Sequence, residues 1–192
     1  MAAANTKPTN TSVMSPVATA SYVQLSAPKL DQYGNSKYAV SLIFPKSTDL
    51  KALKAAAEAA GKAKFGDKWE TTRKKTNFRW PFRDGDLDKP EDEAYKNSIF
   101  MNTSTTKPIG ACDAGNNPTG KPQNIDISEI YAGCKVRAHL NVSAYQKDGG
   151  IGVGVYINAI QKVADGEPLG MMAVNPENVF EAIEIPDDEM PF

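Results

Sequence analysis

Residues 135–160 read KVRAHLNVSAYQKDGGIGVGVYINAI, and this stretch carries the clearest structural pattern of the chain. Between residues 135 and 145, apolar side chains alternate strictly with polar ones, as in a half-buried β-strand. A second alternation follows Asp148-Gly149, a dipeptide that favours a two-residue hairpin loop. This turn predicts the cross-strand pairs Ala144–Val153, Val142–Val155 and Leu140–Ile157. Burial sets the register, because a slip of one residue would turn the apolar set to solvent.

Weaker patterns before the hairpin predict further strands and one helix. The predicted elements are strands at 19–25, 37–44 and 97–103, a helix at 47–64 and a long loop at 107–124. An apolar stripe of leucine and alanine at helical spacing marks the helix. About five strands with one helix and long loops predict a mainly β fold, built as a small, highly curved antiparallel β-barrel.

The composition indicates one folded domain with flexible ends. The chain has 192 residues, of which 41% are hydrophobic, so it can form a core, and no apolar run is long enough to cross a membrane. Its two cysteines and the lack of a signal-peptide pattern indicate a reducing cytoplasm. We expect a flexible arm at 1–18, one domain at 19–172 and a flexible acidic tail at 173–192.

The net charge of −1 conceals a strong charge asymmetry. Residues 177–192 hold six acidic residues and no basic one, which leaves 22 basic and 17 acidic residues before them, a net of +5. Within that body, residues 46–83 hold eleven basic and four acidic residues. Such polarity is typical of proteins whose acidic tail competes with a polyanion for a basic surface. A solubilising tail beside ordinary surface lysines is the alternative.

The polar face of the hairpin is a candidate platform for stacking bases. The predicted register places glycines opposite Tyr145 and Ser143, so that bare backbone separates Tyr145 from Tyr156. Tyrosine rings can stack on unpaired bases, while Lys37, Arg137 and Lys147 on the sheet would contact phosphates. Alternatively, the glycines only permit barrel curvature and the tyrosines are half-buried.

A second candidate is the basic, aromatic segment at residues 73–83. Interleaved cations and aromatic rings suit a single strand, because cations pair with phosphates and rings accept unstacked bases. The candidates here are Arg73, Lys74, Lys75, Arg79, Arg83 and Trp80. Alternation also brings Phe78, Trp80 and Phe82 together, so these aromatics could instead form the core face of a strand.

No group of residues in the sequence suits catalysis, and we expect a protein that is not an enzyme and that holds no cofactor and no metal. Asp84, Asp86 and Asp88 invite comparison with a calcium loop, but Lys89 and Tyr95 occupy positions where an EF-hand needs Gly and Glu. A solvated turn is the simpler interpretation. The single histidine, His139, has no matched nucleophile nearby in sequence.

The last residues form a candidate docking peptide. An apolar ring beside a carboxylate can enter a pocket ringed by basic residues, and acidic residues upstream add electrostatic steering. The candidate partner-binding residues are Asp187, Asp188, Glu189, Met190, Pro191 and Phe192. A frayed tail that ends in Phe by chance is the alternative.

These motifs together resemble known families. The ending DDEMPF resembles the acidic tip through which bacterial single-stranded DNA-binding proteins recruit partners. The body resembles a bacteriophage family of single-domain, OB-fold single-stranded DNA-binding proteins, long filed as a domain of unknown function. The matching pieces are KYAVSLIFPK at 37–46, RDGD at 83–86 with Lys89-Pro90, YAGCKVRA at 131–138, QKV at 161–163 and DGEPLG at 165–170. The resemblance implies an OB barrel, binding to single strands without sequence specificity, and a tail that moderates DNA binding and contacts partners.

The sequence therefore predicts a phage-type single-stranded DNA-binding protein that acts in DNA replication, recombination and repair in the cytoplasm of the bacterial host. We expect single-stranded DNA as its ligand, replication and recombination proteins as partners of the tail, no membrane association, and a monomer or homodimer. Two alternatives stay open. One is a metal-dependent nucleic-acid enzyme that uses Asp84, Asp86 and Asp88, and the other is a virion adaptor protein with the tail as its docking peptide.

Overall fold

A computed structural model describes residues 11–31, 34–147 and 150–170. The long strands are β2 (Ala18–Leu30), β3 (Ser36–Pro45), β6 (Ser98–Thr105), β9 (Lys135–Lys147) and β10 (Gly150–Ala164). The short strands are β1 (Ser12–Met14), β4 (Phe78–Arg79), β5 (Arg83–Asp84), β7 (Gly110–Cys112) and β8 (Asn124–Ile125). The α-helices are α1 (Lys51–Phe65), α2 (Trp69–Thr72) and α3 (Gly85–Asp88). No helix in these ranges has both the length and the apolar composition to span a bilayer.

The predicted hairpin is β9 with β10, and its register is confirmed. Ala144 pairs with Val153, Val142 with Val155, and Leu140 with Ile157. Beyond Ile157 a bulge shifts the register by one residue, so that His139 pairs with Ala159. The bulge increases the local twist and helps these two long strands to curve around the core.

Five strands close into a ring in the order β2-β3-β6-β10-β9, and β9 returns to pair with β2. The pairs are antiparallel except β6 with β10, which run parallel at Tyr156 and Ser104. The prediction of a mainly β barrel of the OB type with one long helix is thereby confirmed. The predicted strands at 37–44 and 97–103 correspond to β3 and β6.

The barrel interior is filled by the apolar side of each strand, and α1 packs against β9 and its neighbours β1 and β10. Leu50, Leu53, Ala57 and Ala60 of the predicted apolar stripe are all buried. The helix begins at Lys51, four residues later than the predicted start at residue 47. The Asp49 carboxylate accepts a hydrogen bond from the Lys51 backbone N–H. This early carboxylate satisfies a free donor at the helix start.

Two segments depart from the sequence predictions. Ser12–Met14 pair with β9, so the expectation of a flexible arm is wrong for these residues, because the free edge of β9 accepts them as an added strand. Residues 1–10 lie outside the described ranges. The predicted loop at 107–124 contains β7, which pairs in parallel with the end of β10. Neither pairing has a signature in the local sequence.

Candidate nucleic-acid interface

One side of the barrel, turned away from the core, carries small and polar side chains in a row across four strands. Ala39 of β3 pairs with Ser104 of β6, Ser104 pairs with Tyr156 of β10, and Tyr156 pairs with Asn141 of β9. Directly paired residues share one face of a sheet. We call the surface around this row the outer face. It offers a track of small and polar side chains that crosses four of the five barrel strands.

A cleft of about 280 Å³ opens on the outer face where β3, β6 and β10 meet. Its lining includes Lys37, Asn102, Ser104, Thr106, Gly154 and Tyr156. Tyr156 is 43% exposed, a large exposed fraction for an aromatic side chain. An exposed ring beside hydroxyl, amide and ammonium groups can stack on a base while its neighbours contact the base edge or the phosphate. The cleft thus joins two residues that the sequence nominated separately, Lys37 and Tyr156.

The glycines between the two tyrosines do not leave open backbone, which corrects one part of the predicted platform. A Cβ on Gly154 would touch the Tyr156 ring, with its hydroxyl oxygen 3.5 Å away, so the ring lies across this residue. A Cβ on Gly152 would collide with the carbonyl of Arg79, because β4 pairs in parallel with β10 at this position. The space at Gly154 and Gly152 is therefore taken by the Tyr156 ring and the Arg79 backbone, and the surface open to a base is smaller than predicted.

The same pairing brings part of the basic segment to the outer face. Gly152 pairs with both Arg79 and Tyr145, so the arginine and the tyrosine are neighbours across one residue. Arg79 is exposed and Tyr145 is half-buried. An arginine beside an aromatic ring is a suitable contact for a nucleotide, since one group meets the phosphate and the other the base.

Trp80 lies mostly with the core. Its ring packs edge-on against Phe78, with centroids 5.1 Å apart, and against Trp69 at 5.8 Å. Phe82 also packs against the core cluster, so the alternative interpretation of a core-facing aromatic set is confirmed. Trp80 is half-buried, and a base contact through its exposed part stays a prediction.

The predicted cations fall into two groups. Arg73 binds the carboxylates of Glu58 and Glu70 at 2.7 and 3.0 Å, and Arg83 binds Asp88 at 3.0 Å. Lys37 binds Asp31 at 2.7 Å, so three of the candidates already have acidic partners. The remaining candidates are exposed and form no ion pair within the ranges that the structure describes. These are Lys74, Lys75, Arg79, Arg137 and Lys147.

The carboxylates of the metal alternative are occupied by protein cations. Lys46 binds Asp84 at 2.9 Å and Asp86 at 2.7 Å, while Asp88 binds Arg83. Lys46, together with the backbone N–H of Asn97, holds the pKa of Asp86 below its usual value. Within the described ranges, no group of three or more His, Cys, Asp or Glu side chains is placed to hold a metal ion.

A second aromatic and cationic pair, which sequence reasoning missed, lies at another part of the surface. Lys89 donates to the Tyr22 hydroxyl at 2.9 Å, and its ammonium lies 4.2 Å from the Tyr22 ring centroid. The Tyr22 hydroxyl raises the pKa of Lys89. Tyr22 has a positive φ of 45° at a shift in the β2–β3 register. Such a local break has no signature in the alternation of β2.

The predicted docking peptide, Asp187, Asp188, Glu189, Met190, Pro191 and Phe192, lies outside the described residues, as does the whole segment 171–192. Asn102 and Ser104 were also missed, although the predicted strand at 97–103 contains Asn102 and ends one residue before Ser104. A polar residue on the outward side of a strand is ordinary, and only the neighbouring strands turn it into the wall of a cleft.

Comparisons with known proteins identify the family of the chain and solved structures of similar fold. A family model described as Enterobacter phage Enc34, ssDNA-binding protein, matches residues 11–190. A solved structure, the single-stranded DNA-binding protein from bacteriophage Enc34 in complex with ssDNA, is similar with a TM-score of 0.68 and 18% identity, over 83% of this chain and 89% of that chain. The structure of gp2.5, a single-stranded DNA-binding protein encoded by bacteriophage T7, is similar with a TM-score of 0.56 and 15% identity, over 81% of this chain and 93% of that chain. No curated protein matches this chain significantly.

Proposed function

The chain belongs to the family of the Enterobacter phage Enc34 ssDNA-binding protein, and on this premise we propose that it binds single-stranded DNA along its outer face. The observation that carries the proposal is the cleft that joins Tyr156, Lys37 and Asn102 on β3, β6 and β10. OB folds bind oligonucleotides on the face of their second and third strands, and here those strands are β3 and β6.

We infer that bases stack on Tyr156 and Tyr145, with an added contact from the exposed part of Trp80. The cations without acidic partners contact phosphates directly, and these are Lys74, Lys75, Arg79, Arg137 and Lys147. Lys37, Arg73 and Arg83 add positive potential, and each exchanges an acidic partner for a phosphate when it makes direct contact. Because these contacts are to backbone phosphates and base faces, binding is independent of sequence to first order.

We further propose that this binding serves phage DNA replication, recombination and repair in the cytoplasm of the bacterial host, without catalysis and as a monomer or homodimer. The family membership supports this setting. The carboxylates of the rival metal enzyme are already bound to Lys46 and Arg83, which favours the binding function.

The acidic end of the chain suggests a regulatory role. Residues 177–192 carry six acidic residues and no basic one. We propose that this segment competes with DNA for the basic outer face, and that Asp187 to Phe192 recruit replication and recombination proteins. Competition between an acidic segment and a polyanion follows from their like charge.

The central experiment is a titration of the full chain with fluorescent oligo-dT and with a matched duplex across a range of salt concentrations. We expect tight binding to the single strand, weaker binding to the duplex, and affinity that falls as salt rises. Cleavage of the oligonucleotide after addition of Mg²⁺ would favour the enzyme alternative. Failure to bind either DNA at low salt would refute the proposal and leave the virion adaptor.

The tail is tested by deleting residues 177–192. We expect the shortened chain to bind oligo-dT more tightly, with the largest gain at low salt, where competition between charges is least screened. A matched control replaces the six acidic residues of the tail with Asn and Gln, which keeps its length. Equal affinity of all three proteins at low salt would rule out competition by the tail.

A further inference from the structure

One wall of the cleft on the outer face carries an amide, that of Asn102, whose oxygen is held by a hydrogen bond from the protein. The Ser41 hydroxyl donates to the amide oxygen of Asn102, with 2.6 Å between Oγ and Oδ1. Ser41 is only 6% exposed, so this anchor is shielded from water. Within the described residues, the Nδ2 group of Asn102 has no hydrogen-bond partner. Asn102 therefore keeps its acceptor turned to the protein and offers its two N–H donors to the cleft.

The position of Asn102 matches the edge of a base rather than the sugar-phosphate backbone. Asn102 lies two residues from Ser104 on the same side of β6, and Ser104 pairs directly with Tyr156. Residues two apart on one strand are about 6–7 Å apart along it, a distance that an aromatic ring or a base can bridge. A base stacked on the Tyr156 ring thus has one edge toward Asn102. Lys37 precedes Tyr38, which pairs with Thr105, so Lys37 lies beyond Ser104 from Asn102, where a phosphate would pass.

Resting on the proposed function, we infer that Asn102 makes this cleft prefer bases with a carbonyl group on the edge that it meets. The carbonyl oxygens of thymine, and the one at position 6 of guanine and hypoxanthine, can accept from Nδ2. Adenine presents an amino donor at position 6, so Nδ2 must turn to the ring nitrogen beside it to find an acceptor. Ser41 is a positioning residue in this scheme, because its hydroxyl holds the amide oxygen of Asn102 on the protein side of the cleft.

The test compares binding to oligo-dT, oligo-dA and oligo-deoxyinosine of equal length. Deoxyinosine and deoxyadenosine have purine rings of the same size but differ at position 6, so their ratio separates the hydrogen bond from the strength of stacking. We expect the native chain to bind oligo-deoxyinosine more tightly than oligo-dA. Asn102→Leu, which keeps the size and removes the donors, should lower the ratio of these affinities about three- to tenfold, the value of one neutral hydrogen bond.

Three further variants separate a specific role from a general one. Ser41→Ala should lower the same ratio by a smaller factor, since the freed amide can rotate. Lys37→Gln should weaken all three oligonucleotides alike and leave the ratio unchanged. Asn116→Leu, an exposed position in the loop between β7 and β8, is the matched control and should change neither quantity.

The two failures are distinguishable. If the native chain binds none of the oligonucleotides, the proposed function itself is refuted. If it binds them well but does not prefer deoxyinosine over deoxyadenosine, or if Asn102→Leu keeps the native ratio, the role of Asn102 is refuted while DNA binding stands. Circular dichroism and melting temperature show whether each variant is folded. A change in the ratio of the two affinities can then be separated from unfolding.

Discussion

Two exposed tyrosines on this protein each lie beside a lysine, yet their surroundings are opposite in charge. Tyr156 is 43% exposed and shares its cleft with Lys37, while Tyr22 is 53% exposed and touches Lys89. The other side chains of the Tyr156 cleft are uncharged. The groove beside Tyr22 is lined by four carboxylates, those of Asp88, Glu91, Asp92 and Glu93.

The difference shows that an aromatic residue beside a cation does not by itself make a nucleotide site. Phosphates are repelled by the carboxylates near Tyr22, and like charges a few ångströms apart cost about 1 kcal/mol or more even in water. The Lys89 ammonium also donates one of its hydrogen bonds to the Tyr22 hydroxyl. In the Tyr156 cleft the Lys37 ammonium is also engaged, by Asp31, but no carboxylate lines the cleft itself. The two sites should therefore respond very differently to matched substitutions.

The largest effect is expected from removing the two rings in turn. Tyr156→Ala should weaken binding to oligo-dT by about 1–3 kcal/mol, or roughly 5- to 150-fold, because a stacked base loses its platform. Tyr22→Ala should change the affinity by less than about twofold. Tyr156→Phe keeps the ring and serves as the control for stacking. Equal losses for the two alanine variants in a fluorescence titration would break the comparison.

A smaller effect is expected from the two lysines. Lys37→Gln should reduce the slope of log K against log salt by about 0.7, the value for one phosphate contact on a single strand. Lys89→Gln should leave this slope unchanged, since its surroundings exclude phosphate. The slopes are measured by titrating each variant at several salt concentrations. A reduced slope for Lys89→Gln would mean that the strand passes over the acidic groove as well.

The smallest effect concerns the stability contributed by Asp86, which lies in α3 together with Asp88 of the acidic groove. Lys46 and the Asn97 N–H lower the pKa of Asp86, so the unfolded chain binds a proton at this residue more readily than the folded chain. The stabilisation is present above the unfolded pKa and is lost as pH falls through the lower, folded pKa. Melting temperatures measured from neutral pH to about pH 3 should therefore fall less steeply for Asp86→Asn than for the native chain.

Glu91→Gln is the control for that measurement, since this exposed carboxylate has no hydrogen bond or ion pair within the described residues. It should follow the native melting profile. If Asp86→Asn shows the same acid dependence as the native chain, the contact with Lys46 does not contribute to stability at low pH.

The hairpin and the basic segment differ in how far their sequence could be interpreted. In β9 and β10 the alternation and the turn residues specify the same register, so the pairs from Ala144–Val153 to Leu140–Ile157 were predictable. In residues 73–83 the alternation was equally clear, but it fitted both a DNA-binding segment and a core-facing set of aromatic rings. Trp80 packs against the core, and Arg79 pairs with Gly152 in a parallel pairing that no local pattern predicts.

The candidate site was predictable in part for the same reason. Lys37 and Tyr156 could be nominated because charge and aromaticity are visible in a sequence. Asn102 could not be nominated, because its position in the cleft depends on a hydrogen bond with Ser41 and on the pairing of β6 with β10. That pairing joins distant parts of the chain.

The long strands, the hairpin register, the amphipathic helix and the separation of a basic body from an acidic end could all be predicted from the amino-acid sequence alone. These follow from periodicity and composition, which act over a few residues or over the whole chain. The folded structure is needed to learn which polar residues share a cleft, which cations are bound by carboxylates, and which tyrosine lies in an acidic groove. Such facts depend on contacts between residues far apart in sequence, and barrel closure brings those residues together.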